Sequence, residues 1–301
     1  MITPTYLTPG DTIGIVSPAK HIDGQYIVRA REMLEKRGYR VVLGKHVLGR
    51  HHQFAGTDAE RAADFQHMMD DAHVRMILCS RGGYGSARII DLLNFRGFMR
   101  NPKWIAGFSD ITVFHAHIYS VFGIESVHGI MPLDFPGSDS NLVAVDRLLS
   151  AVSGDELSYN LPAYPMNREG YTEACVIGGN ISILASLLGS RSDLSTGGRI
   201  LFIEEVAENL YRLDRLMVTL KRAGKLDEIS GLIVGGLTSM EDNEIPFGKD
   251  AREIVADAVS EFDYPVCFDF PAGHFPHNYP LRLGRLAKFS VSKQEVNLRF
   301  I

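Results

Sequence analysis

The sequence predicts an α/β protein. The first part is a mostly parallel, Rossmann-like sheet flanked by helices, and a smaller C-terminal α+β domain follows. Three observations predict this. Short apolar runs alternate with amphipathic helical stretches through the first half. The chain has 301 residues, beyond the size at which a single core usually keeps growing, so two domains are expected. The second half alternates less regularly and ends in runs patterned like antiparallel strands.

Each element has its own signal. Thr12 to Ser17 is β-rich, and Asp23 to Arg37 carries helical periodicity. Arg40 to Leu43 reads as strand, Asp58 to Asp71 as helix, and Arg75 to Cys79 as strand. The Gly-rich loop Arg81-Gly-Gly-Tyr-Gly85 leads into a helix reaching about Leu93. Trp104 to Phe108 is strand, Ile111 to Val121 helix, and Leu142 to Val152 a last helix of this half. Strands joined by crossover helices argue for a parallel sheet, whose ligands bind outside the carboxyl ends of the strands. Residues 1–152 form the expected N-terminal domain and 153–170 a linker holding a strand near Leu157 to Leu161. Residues 171–301 form the C-terminal domain. There, Cys175 to Asn180 runs into an apolar helix to about Leu188. Arg199 to Ile203 and Gly231 to Gly235 are strands, Asn209 to Ala223 and Asp250 to Phe262 helices. Leu281 to Val291 and Val296 to Ile301 form the antiparallel tail.

Composition narrows the function. Hydrophobic residues make up 45% and charged residues 22%, an ordinary globular balance. A formal net charge of -5 without a long basic run excludes nucleic acid as the expected partner. Cys79, Cys175 and Cys267 each lie in or beside apolar runs at spacings unlike a metal site, so reduced, buried thiols are expected. There is neither a basic-then-apolar leader nor an apolar run of membrane-spanning length. A cytoplasmic protein without a membrane partner is expected. His115 and His117 stand two apart on a helix and do not share a face, so no metal is assigned to them.

The candidate chemistry sits at strand ends. In Gly107-Phe-Ser-Asp110 a strand runs straight into a helix. This can hold the Ser109 hydroxyl on a sharp turn, with the Asp110 N–H as an oxyanion donor. A helix cap is the bland alternative, and Ile111 stands where the hydrolase elbow Gly-x-Ser-x-Gly has its second glycine. A serine nucleophile needs a base. His274, after Gly273, is one candidate and His277 its neighbour. Glu204, directly after an apolar strand, can orient an imidazole, although Glu204 and Glu205 also suit a helix N-terminus. The Arg81 loop can donate a second oxyanion N–H or cradle a phosphate. It has neither Gly-Lys-Ser/Thr nor Gly-x-Gly-x-x-Gly, so a nucleotide site is disfavoured. The set suggests a serine hydrolase without a cofactor.

Eight segments in order resemble the LD-carboxypeptidase family: Gly10 to Pro18, Arg81 to Gly85, Gly107 to Asp110, His128-Gly129, Gly178 to Asn180, Leu201 to Glu204, Tyr211 to Arg215 and Gly273-His274. The family's best-known members are muramoyl-tetrapeptide carboxypeptidases. The resemblance implies a Ser-His-Glu triad of Ser109, His274 and Glu204, between two domains. It also implies oxyanion donors at Asp110 and a loop glycine, Gly83, and no metal. The implied substrate is a murein tetrapeptide ending in D-alanine. Arg81 either binds the terminal carboxylate, or braces a loop or pairs with an acid. The family is compatible with a homodimer. One departure is His128-Gly-Ile-Met-Pro132, where the family often has proline directly after His-Gly. A microcin-immunity-type peptidase acting on a peptidyl-nucleotide amide is the runner-up. A non-catalytic small-ligand-binding protein is the reading from another class.

Overall fold

The computed structural model describes residues 1–136, 142–275 and 277–301. β1 (Thr12–Val16), β2 (Arg40–Leu43), β3 (Val74–Cys79), β4 (Trp104–Gly107) and β5 (Ser126–His128) pair in parallel in the order β5-β4-β3-β1-β2. β1 and β4 are wholly buried and β3 nearly so. That explains their continuous apolar runs: helices cover both faces of such a sheet. The helices of this half are α1 (Gly24–Glu35), α2 (Asp58–Asp70), α3 (Ser86–Ile89), α4 (Arg96–Arg100), α5 (Thr112–Phe122) and α6 (Val143–Ser153). Thr57 and Glu60 close a capping box at the start of α2. The helix expected through Leu93 is shorter: α3 ends at Ile89 and tightens into a 3₁₀ turn, Ile90–Leu92.

The second sheet is mixed. β6 (Ser158–Pro162), β7 (Gly170–Asn180), β8 (Ile200–Val206), β9 (Gly231–Thr238), β10 (Val266–Cys267), β12 (Leu286–Val291) and β13 (Glu295–Phe300) run in the order β10-β9-β8-β7-β12-β13-β6. β7 to β10 are parallel and β12, β13 and β6 antiparallel to their neighbours. α7 (Ile181–Ser186), α8 (Leu210–Arg222) and α9 (Ala251–Ala258) complete this half.

The tail departs from expectation. Leu281 to Val291 is two strands, because Gly284 (φ +88°) turns the chain between them. β11 (Leu281–Leu283) pairs antiparallel with β5 at the edge of the first sheet, and β12 enters the second. A strand from the C-terminal region thus completes the N-terminal sheet.

The halves also share packing. Phe114 of α5, Ile177 of β7 and Ile203 of β8 belong to one buried cluster. Asn180 donates its N–H to Thr112 Oγ1 at 3.1 Å. A Cβ on Gly179 would stand 2.4 Å from that oxygen. α5 can approach β7 this closely only over glycine. Among the described residues no helix is long and apolar enough to cross a membrane. Cys79 and Cys267 are buried thiols, and Cys175 is half-buried.

Candidate active site

β4 delivers Ser109. Phe108 remains extended and Ser109 adopts φ +61°, after which a 3₁₀ turn (Ser109–Ile111) feeds α5. A left-handed conformation in a residue other than glycine costs about 1–3 kcal/mol and persists only when its surroundings enforce it. Here they do. Gly107 (φ +156°) leaves no room for a Cβ, which would sit 2.9 Å from Ile111. Ile111, in place of the elbow's second glycine, is a core residue. His115, on α5, bonds the Gly107 carbonyl through Nε2 at 2.9 Å and Ser126 Oγ through Nδ1 at 2.8 Å. A carbonyl only accepts, so Nε2 carries the proton. Burial pushes this imidazole down to about 4, which keeps it neutral.

The Gly-rich loop is tied to the same turn. Asp110 Oδ2 accepts the Ser86 N–H at 2.8 Å at the loop's end. Burial raises the Asp110 carboxyl above its ordinary value, against the bonds from Ser86 and the charge of Arg61. Arg61, itself buried, pairs with Asp58 and donates to the carbonyls of Pro18 and, at 3.0 Å, Gly85. It thereby joins the loops after β1 and β3. Gly82 lies against the serine: a Cβ there would be 2.9 Å from Ser109 Cβ and 3.2 Å from Asp110 N. A Cβ on Gly83 would instead meet the Lys20 side chain. Arg81 donates to the His21 carbonyl at 3.1 Å.

The second sheet brings the acid and the base. Glu204 lies within β8, not after it, because the strand continues to Val206 through a register shift between Ile203 and Glu205. The two glutamates go separate ways. Glu205 accepts from Asn180 Nδ2, Ser182 N and Val206 N. Glu204, with no exposed surface, accepts from His274 Nδ1 at 2.6 Å and from His274 N at 3.3 Å. Gly273 (φ +92°) permits this approach, since a Cβ there would fall 2.7 Å from Glu204 Cβ. The Gly273 N–H in turn donates to buried Asn278 Oδ1 at 2.8 Å. His277 is exposed beside Tyr279.

Because a carboxylate only accepts, His274 Nδ1 holds the proton and Nε2 is left with its lone pair when the ring is neutral. Burial alone would lower this imidazole. The bond from Glu204, its charge and those of Glu205 and Asp134 outweigh burial and raise it. Phe108 meets the His274 ring edge-on at 4.8 Å, so the base lies against the serine's chain neighbour. Among the described residues no hydrogen bond joins Ser109 Oγ to the imidazole; such contacts often tighten only with substrate present. The structure adds residues that sequence reasoning gave no role: Arg61, Asn278, Asp134 and His128. His128, fully buried, lies between the rings of Phe108 (5.8 Å) and Phe202 (4.8 Å). Its pairing with Gly129 was its only sequence signal.

The chain is similar to known proteins over both halves. The sequence matches the LD-carboxypeptidase N-terminal domain over residues 13–129 and the LD-carboxypeptidase C-terminal domain over residues 173–289. A Bacillus subtilis protein named "Probable murein peptide carboxypeptidase" is 30% identical over 294 residues, covering 97% of this chain and 92% of its own. The Escherichia coli microcin C7 self-immunity protein MccF is 28% identical over 262 residues, covering 76% of each. The crystal structure of muramoyltetrapeptide carboxypeptidase from Oxalobacter formigenes superposes with a TM-score of 0.87 at 26% identity, over 96% of this chain and 98% of that one. With both halves matched in order, and the Bacillus subtilis relative aligned almost end to end, this chain belongs to the LD-carboxypeptidase family of peptidases.

Proposed function

We propose that the protein is a cytoplasmic serine carboxypeptidase that removes the terminal D-alanine of a murein tetrapeptide by hydrolysing the L,D-peptide bond. The observation that carries this reading is the bond between fully buried Glu204 and His274, set against the strained turn of Ser109. Ser109 Oγ attacks the carbonyl of the diamino acid while His274 Nε2 takes its proton. Glu204 orients the ring and stabilises its cation. The oxyanion sits on the N–H groups of Asp110 and Gly83; the Gly82–Gly83 peptide begins at the glycine packed on the serine. Each such donor is typically worth about 3–4 kcal/mol of barrier. His274 then returns the proton to the leaving D-alanine amine, and water hydrolyses the acyl-enzyme. None of these steps requires a cofactor. The product is a tripeptide for peptidoglycan recycling.

The test is D-alanine release from a tetrapeptide. Ser109→Ala should abolish it while leaving the circular dichroism spectrum unchanged; retained release refutes the nucleophile. The likeness to MccF supports a second reading, a peptidyl-nucleotide amide as substrate. Trp104 supplies no base platform for it: the side chain is fully buried and its indole N–H donates to the Thr5 carbonyl. Turnover of an aminoacyl sulfamoyl adenylate beside the tetrapeptide separates the two readings.

A further inference from the structure

We propose that Asp134 selects the substrate's diamino acid, its carboxylate receiving the charged amino group on the residue that presents the scissile carbonyl. The inference rests on the peptidase reading above and adds the residue that sets its side-chain preference. Asp134 ends a 3₁₀ turn, Pro132–Asp134, that is docked on the Gly-rich loop: Leu133 N–H donates to the carbonyl of Ser80, the residue before Arg81. The residue is exposed, and its carboxylate accepts one long bond, 3.2 Å, from Met131 N in its own turn. Among the described residues it has no ion pair.

Exposed does not mean freely solvated here. Surrounding protein desolvates the Asp134 carboxyl and raises it, while the Met131 bond and the charges of His274 and Arg81 act the other way. The acid is accessible, partly dehydrated, feels the charge of the base and stands on a turn docked against the Gly-rich loop. An ammonium group placed there regains attraction that bulk water would screen. Arg81, on that loop, brings the opposite sign close enough for its charge to act on Asp134. Together they suit a substrate with a carboxylate at its end and an ammonium one residue earlier. The competing role, Asp134 merely steering Arg81, would act on every peptide alike.

The experiment compares kcat/KM for D-alanine release from tetrapeptides with L-lysine or L-norleucine before the terminal residue. The wild-type protein should prefer lysine by about tenfold or more. Asp134→Asn, which keeps the acceptor to Met131 but not the charge, should collapse that ratio towards one, and Asp134→Ser should do the same. Equal wild-type rates on both peptides overturn the proposal without any variant. So does an unchanged ratio in folded Asp134→Asn protein whose rates fall on both. Wild-type failure on every peptide overturns the peptidase reading instead.

Discussion

A proton on the wrong side of one imidazole ring would disable the proposed chemistry. Glu204 fixes it on Nδ1 of His274. Burial works against the cation, yet Glu204, Glu205 and Asp134 raise this group overall. The base is active only when neutral, so the acid limb of kcat/KM should lie above the ordinary imidazole value of about 6.5. Glu204→Gln removes the largest raising influence. It should move that limb to lower pH and reduce kcat by about 10³–10⁴-fold through loss of the tautomer. A pH–rate profile with an unmoved limb contradicts the assignment. Arg81 is tested by substrate chemistry. If its guanidinium binds the terminal carboxylate, Arg81→Ala raises KM for the free acid more than for the C-terminal amide. Equal effects on both assign Arg81 to bracing the His21 carbonyl. Ser109, Glu204 and His274 are each visible in the sequence as a polar residue next to glycine or an apolar strand. Arg61, Asn278 and Asp134 are not, because their roles come from chain segments that packing alone brings together.

At the level of elements, α5 does more than present a turn. Its His115 and the facing His128 of β5 are buried without charge, both held below the ordinary histidine value by desolvation. Unfolding returns them to that value, so between about 6.5 and 4 the unfolded chain binds more protons. Stability from these groups is full above that window and falls as pH falls through it. For His115 the loss is on the order of 3 kcal/mol. His115→Gln should therefore flatten the acid side of a denaturant-midpoint-against-pH curve, while costing stability at neutral pH through the Gly107 and Ser126 contacts. A curve as steep as the wild type's refutes this. The alternation β1-α1-β2-α2-β3 is legible because each strand holds a run of at least three apolar residues beside a periodic helix. β5 and β10 have three and two residues, too short to show a period. The placement of Glu204 inside β8 is hidden by the register shift, which breaks the two-residue alternation where the acid stands.

Across the whole molecule, the two sheets are stitched rather than merely adjacent. Arg282 on β11 is buried and donates to the carbonyls of Ala151, Ser150 and Asp155 at the end of α6. It ties the last-made strand of the first sheet to a helix made much earlier. Arg282→Met removes three donors, one of them to the carbonyl of buried Ala151, at a cost of about 3 kcal/mol. Because the sheets share a core, the loss should lower one common transition. Trp104, the sole tryptophan, lies in the first sheet and reports it by fluorescence, while far-ultraviolet dichroism reports both. Two separated midpoints would show that the halves unfold independently. The composition and the strand–helix alternation make two sheets legible, but not this stitch. Nothing in Leu281 to Val291 except Gly284 marks the point at which the chain changes sheets.

That change of sheets has a consequence for birth as well as for stability. β5 offers its outer backbone groups to β11, a partner that a ribosome delivers only near the end of translation. Until then the growing polypeptide carries an open, hydrogen-bond-hungry border, the template on which sticky intermolecular ribbons form. Premature termination upstream of Leu281 should therefore yield clumping fragments in place of a soluble half-enzyme.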